Sequence, residues 1–172
     1  MATVALALTE ETRERCRWIP GPFATRQERV LLIEDEEEAM FLVHFALEEH
    51  GGGKYWLEWA DCLSSGLEQL SSGGIDVVLL DLGLPESSGP ESYAWVREIA
   101  PSVPVVVLTG DEREETEFAV AASGAAGFLI KDHVSGAHLL HAIRAALKSK
   151  KPRDKRTGDM VRNLLRQDFS NR

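Results

Sequence analysis

The chain has 172 residues, of which 44% are hydrophobic and 27% charged, with a formal net charge of −9. That length fits one ordinary domain with short extensions, no stretch is apolar for long enough to cross a bilayer, and the acidic balance argues against a general nucleic-acid binder. The charge is split along the chain: Lys148 to Arg172 carries nine Lys/Arg against three Asp/Glu, leaving 10 basic and 25 acidic residues in 1–147.

Residues 1–28 read as a flexible leader. A short helical stretch, EETRERCRW, runs into IPGPFATR, whose prolines and glycine break any regular element. The opening MATVALALTEET lacks the basic start of a signal peptide. Two cysteines, Cys16 and Cys62, do not make a disulfide framework and read as the reduced thiols of a cytoplasmic protein.

From residue 29 a regular pattern begins. RVLLIED is an apolar run of strand length, and EEEAMFLVHFALEEH follows with helical periodicity, Met40, Val43, His44 and Leu47 sharing a face. The acids at its start favour the helix dipole, and Gly51 to Gly53 read as a C-cap and turn rather than a phosphate loop, because they follow a helix. KYWLEWA is a second strand. DCLSSGLEQLSS is a short helix for which Asp61 is the expected N-cap. IDVVLLD is a third strand, continuously apolar as expected when both faces are covered. PESYAWVREIA (helix), VPVVVLT (strand), EREETEFAVAASG (helix), AAGFLIK (strand) and VSGAHLLHAIRAALKSK (helix) continue the alternation. Five strands alternating with five helices predict an α/β fold with a doubly wound parallel sheet. Beyond it, KSKKPRDKRTGD is a solvated basic linker and MVRNLLRQDF a short amphipathic piece.

In a doubly wound sheet the functional crevice lies outside the carboxyl ends of the strands. Glu34 and Asp35 stand at the end of the first strand, Asp81 at the third, Thr109 at the fourth and Lys131 at the fifth. Three carboxylates, a hydroxyl and an ammonium thus converge from distant segments. Oxygen ligands without a nearby His or Cys suit a hard cation, Mg²⁺ above all, and the clustered acids repel unless a cation or Lys131 compensates them. His138 and His141 lack a third ligand and read as surface or packing residues; Trp56, Trp59 and Trp95 read as packing.

The set LLIED, VVLLDLGLP, VVVLTG and FLIK, in this order and at this spacing, resembles the receiver domain of two-component response regulators. The resemblance covers residues 29–148, with 1–28 a leader and 149–172 a basic linker and amphipathic tail. It implies a CheY-like, flavodoxin-like (βα)5 sheet in the order 2-1-3-4-5. It makes Asp81 the phosphoacceptor, Asp35 and Glu34 the acidic pair for Mg²⁺ (Glu34 through water), and Gly83 a further metal ligand through its backbone carbonyl. Thr109 becomes the hydroxyl that meets the phosphoryl group and Lys131 its ion-pair partner. Phe128 takes the aromatic switch position, where simple core packing is the competing reading.

This sequence departs from the common pattern in having Glu34 for an aspartate, Phe128 without a tyrosine hydroxyl, and Asp132 in place of a proline after Lys131. The function implied is a cytoplasmic phosphorylation switch rather than an enzyme, acting through self-directed phosphoryl transfer and autodephosphorylation. Its phosphodonor would be a sensor histidine kinase or phosphotransfer protein, and its output partner would bind the 112–148 face. The tail would dock on the domain or pair with a second copy, giving a possible homodimer. The alternatives are a haloacid-dehalogenase-type phosphatase, which would carry a second acid where this chain has Gly83, and a pseudo-receiver that binds partners without phosphorylation.

Overall fold

The computed structural model describes residues 26–85, 89–110, 124–131 and 134–149. Residues 1–25 of the expected leader, most of the fourth expected helix, Asp132 and the tail lie outside them.

Five strands, β1 (Glu28–Ile33), β2 (Tyr55–Ala60), β3 (Val77–Asp81), β4 (Val105–Thr109) and β5 (Gly127–Ile130), form one sheet in the order β2-β1-β3-β4-β5. Every neighbouring pair is parallel. Four helices are described: α1 (Glu37–Gly51), α2 (Leu63–Ser72), α3 (Gly89–Ile99) and α4 (Gly136–Ser149). The doubly wound architecture expected from the alternation is the one observed.

The two-residue period of a strand decides which helix each side chain meets. Leu31, Ile33, Val78, Leu80, Val105 and Val107 point to one face, where Leu63 and Leu70 of α2 and Tyr93 and Val96 of α3 cover them. Val30, Leu32, Val77, Leu79, Val106 and Leu108 point to the other, under Val43 and Leu47 of α1 and Leu140 and Ile143 of α4. Because both faces are covered, the central strands are apolar throughout and no polar alternation is seen in them. Ile143 is fully buried, and its truncation to alanine would cost about 2–5 kcal/mol.

Local details follow the chain's chemistry. Helix α1 carries Glu37 and Glu38 in its first turn and ends at Gly52, whose φ of 61° is the left-handed cap conformation that glycine takes without penalty. Gly66 of α2 stands so close to β1 that an added Cβ would lie 2.5 Å from Ile33 Cδ1, so the helix can seat on the sheet there only without a side chain.

Two expectations need correcting. Asp61 is not the cap of α2: Cys62 holds the N-cap position in an extended conformation and makes no side-chain cap bond, so the helix starts later than Asp61 could serve. The last residues assigned to the leader belong to the fold. Glu28 is the first residue of β1, Gln27 donates to the Gly53 carbonyl at 2.9 Å, and Arg26 reaches Asp76.

Candidate functional site

Strand parity carries three charged groups to the same side of the sheet. Leu32, Leu79 and Leu129 face α1 and α4. Two residues on from each stand Glu34, Asp81 and Lys131, beyond or at the carboxyl end of β1, β3 and β5. The ammonium of Lys131 bridges the two acids: it donates to Glu34 Oε1 at 3.0 Å and lies 3.0 Å from Asp81 Oδ2. It also approaches Glu34 Oε2 to 2.7 Å, off that oxygen's hydrogen-bonding direction, so Oε2 is ion-paired yet has no directed donor. The Glu36 N–H donates to Oε1 at 3.3 Å.

The electrostatics follow from this crowding. Glu34 is fully buried, and burial raises its carboxyl above the usual carboxylate range. The Lys131 bond pulls it down and the neighbouring Asp81 charge pushes it up, with a net rise. Burial alone would lower Lys131, but its bonds to Glu34 and Asp81 outweigh that and raise it, so the ammonium is held charged.

Asp35 is exposed and completes the cluster: Glu34, Asp35 and Asp81 each place a carboxylate oxygen within 4.8 Å of the others. Three such oxygens with, among the described residues, a single compensating ammonium fit a divalent hard cation. Gly83 leaves the approach open, because a Cβ there would sit 3.2 Å from Asp81 Oδ2 and 3.6 Å from Oδ1.

The hydroxyl and the aromatic ring occupy the opposite parity. Thr109 is fully buried at the end of β4, two residues after Val107, which is registered with Phe128 of β5. Phe128 is partly buried and packs against the α2–α3 side of the core. Thr109 and Phe128 therefore share a face, one strand apart. His138 and His141 are exposed on α4.

Sequence reasoning missed two features. It left open whether a cation or Lys131 compensates the clustered acids, whereas in the fold Lys131 pairs both Glu34 and Asp81. It also read Trp59 and Trp95 as packing. Trp95 is 52% exposed, and the Trp59 indole N–H donates to the Glu34 carbonyl at 2.7 Å. Counting strand parity back from Glu34, Asp81 and Lys131 would have put the three on one side of the sheet, but not shown which of them bond.

From Glu34 and Lys131 a groove of about 250 Å³ runs between α1 and the start of α4, walled by Leu42, Phe45, Ala46 and Leu139. Leu42 and Phe45 are 72% and 64% exposed, so an apolar rim borders the charged cluster. Among the described residues no helix is long and apolar enough to cross a membrane.

Comparison with known proteins agrees with this geometry. The family description "Response regulator receiver domain" matches residues 30–144. The chain is 34% identical over 102 residues to the swarming motility regulation protein RssB of Serratia marcescens, covering 59% of this chain and 45% of that protein. It is 34% identical over 119 residues to the KDP operon transcriptional regulatory protein KdpE of Escherichia coli, covering 69% and 51%. The chain thus spans about half the length of these curated relatives. A receiver domain from Clostridium thermocellum superposes with a TM-score of 0.61 at 28% identity, over 70% of this chain and 94% of that one. A CheY-like receiver from Methanospirillum hungatei gives 0.61 at 24% identity, over 71% and 94%, and shares the fold.

Proposed function

The chain belongs to the response regulator receiver family of two-component systems, and on that premise we propose that it is a switch phosphorylated on Asp81. The observation that carries this reading is the meeting of Asp81, Asp35 and Glu34 within 4.8 Å, with the Lys131 ammonium 3.0 Å from Asp81.

An Asp81 carboxylate oxygen attacks the phosphorus of a phosphohistidine on a kinase or phosphotransfer protein. The P–N bond breaks as the P–O bond forms, the histidine nitrogen leaves with the electron pair, and Asp81 becomes an acyl phosphate. Lys131 is placed to move from Asp81 to the transferred group and neutralise its charge. Glu34, Asp35, Asp81 and the Gly83 carbonyl are the groups that would hold Mg²⁺, which when bound offsets the charge of acids and phosphoryl oxygens. Thr109 supplies the hydroxyl for a phosphoryl oxygen, and Phe128, on the same face, follows it as the switch. Its binding surface would change over 112–148, the face for an output partner.

The donor protein has a surface to rest on. Leu42 and Phe45 border the groove that reaches Glu34 and Lys131, so a partner covering them would lie next to the end of the groove where those two residues stand. We assign residues 26–149 to the receiver unit, those before it to a leader and 150–172 to a linker and tail, and place the protein in the cytoplasm.

The test is intact mass after incubation with Mg²⁺ and acetyl phosphate. Wild type should gain one phosphoryl group and Asp81→Asn none. Phosphate retained by Asp81→Asn, or mapped to another residue, would sink the proposal.

A further inference from the structure

The parallel ladder between β1 and β2 ends at the pair Ile33 and Ala60. Glu34 lies one residue beyond it, yet its main chain is held on both sides by β2. Its N–H donates to the Ala60 carbonyl at 3.0 Å, and its own carbonyl accepts the Trp59 indole N–H at 2.7 Å. A side chain thus replaces the ladder bond that β2 no longer supplies. The carbonyl concerned belongs to the amide joining Glu34 to Asp35, so the indole orients the peptide plane that carries both acids. Trp59 is itself tied back, since Gln69 of α2 donates to its carbonyl at 3.3 Å.

We propose that Trp59 is a positioning residue for cation binding: its indole N–H locks the Glu34–Asp35 peptide so that the exposed Asp35 carboxylate meets the buried Glu34 and Asp81. The inference rests on the cation reading given above. The indole bond pre-organises the site. Asp35 lies on a short turn with little packing around it, and a turn free to rotate would have to be ordered whenever a cation binds. Groups that orient the ligands of a metal commonly change its affinity tenfold or more when lost. A single neutral hydrogen bond at a partly exposed position sets the smaller end of that range.

Trp59→Phe keeps a ring and removes the donor, which leaves the carbonyl of the fully buried Glu34 without that bond. Mg²⁺ binding to the full chain should be measured by calorimetry for wild type, Trp59→Phe, Trp56→Phe and Asp35→Ala, with melting temperatures taken in chelator. Trp59→Phe should bind Mg²⁺ roughly five- to tenfold more weakly, with a melting temperature in chelator modestly below that of wild type, since a buried carbonyl loses its donor. Trp56→Phe, on the same strand, should bind as wild type does. In nitrogen-15 tryptophan-labelled wild type, the indole signal missing from Trp59→Phe should shift with Mg²⁺ at the calorimetric midpoint; Trp59→Leu, which also lacks a donor, serves the same purposes if the phenylalanine variant does not fold.

Equal affinity in Trp59→Phe and wild type would overturn the proposal. So would an equal loss in Trp56→Phe, which would mean general loosening of β2, or an indole signal indifferent to Mg²⁺. If wild type and Asp35→Ala bind Mg²⁺ alike, the cation reading itself fails and this inference falls with it.

Discussion

The two ends of the sheet both gather charge, and they do opposite things with it. At the amino end Arg26 and Arg29 face Asp76 and Glu58, two cations for two acids. Buried Asp76 accepts the Arg29 backbone N–H at 3.0 Å and the Arg26 guanidinium at 3.3 Å. Arg29 forks onto Glu58 at 2.5 and 3.0 Å, and that bond, outweighing partial burial, pushes its guanidinium above its ordinary range. At the carboxyl end, among the described residues, Glu34, Asp35 and Asp81 face Lys131 alone, and one buried carboxylate oxygen is ion-paired but has no directed donor. The balanced cluster is a fastening for the start of β1. The unbalanced one keeps an excess of negative charge that a cation would offset, and such imbalance is what a cation site requires.

The sharpest way to break this comparison is to remove one acid at each end. Asp35→Ala should abolish Mg²⁺-dependent phosphorylation of Asp81 by acetyl phosphate while leaving the chelated protein melting at or slightly above the wild-type temperature, since a like charge has gone. Asp76→Ala should keep phosphorylation and lose about 2 kcal/mol of stability, because the Arg29 N–H is left without its carboxylate. Mass spectrometry and thermal melts read both. Destabilisation of the chelated protein by Asp35→Ala, or lost phosphorylation in Asp76→Ala, would erase the distinction.

A second measurement sharpens it. Mg²⁺ at about a hundredfold above its dissociation constant should stabilise wild type by about 2.7 kcal/mol. The resulting rise in melting temperature should persist in Asp76→Ala and vanish in Asp35→Ala. Equal rises in all three proteins would locate the cation elsewhere on the acidic surface.

The smallest effect is at alkaline pH. Lys131 is raised above its ordinary value in the folded state, so its stabilisation is full below the unfolded lysine value of about 10.4 and is lost as pH rises through the folded value. The melting-temperature gap between wild type and Lys131→Met should therefore hold steady from neutral pH to about 10 and close above it. A gap that stays constant through strongly alkaline pH would show that the Lys131 charge does not bear on the cluster.

Much of this was legible in the residues. Continuous apolar runs such as VVLL and VVVL announce strands covered on both faces, because a parallel sheet under two helix layers has no solvent side to mark. Asp81 and Thr109 stand at the ends of such runs, so their arrival at the carboxyl edge followed from chain direction alone. The caps were harder. Gly52 could be read because only the left-handed conformation asks for glycine there, whereas Asp61 and Cys62 differ by one residue in a turn where several starts are sterically acceptable.

What the sequence by itself determined is the alternation of strands and helices, the acid, hydroxyl and ammonium at the strand ends, and their family likeness, because these depend on periodicity and spacing within single segments. Tertiary structure alone decided that Lys131 is already shared between Glu34 and Asp81, and that the Trp59 indole finishes the β1–β2 ladder. Both depend on where one strand stops relative to another distant in the chain, and that offset arises only when helices on two faces pull the strands into register.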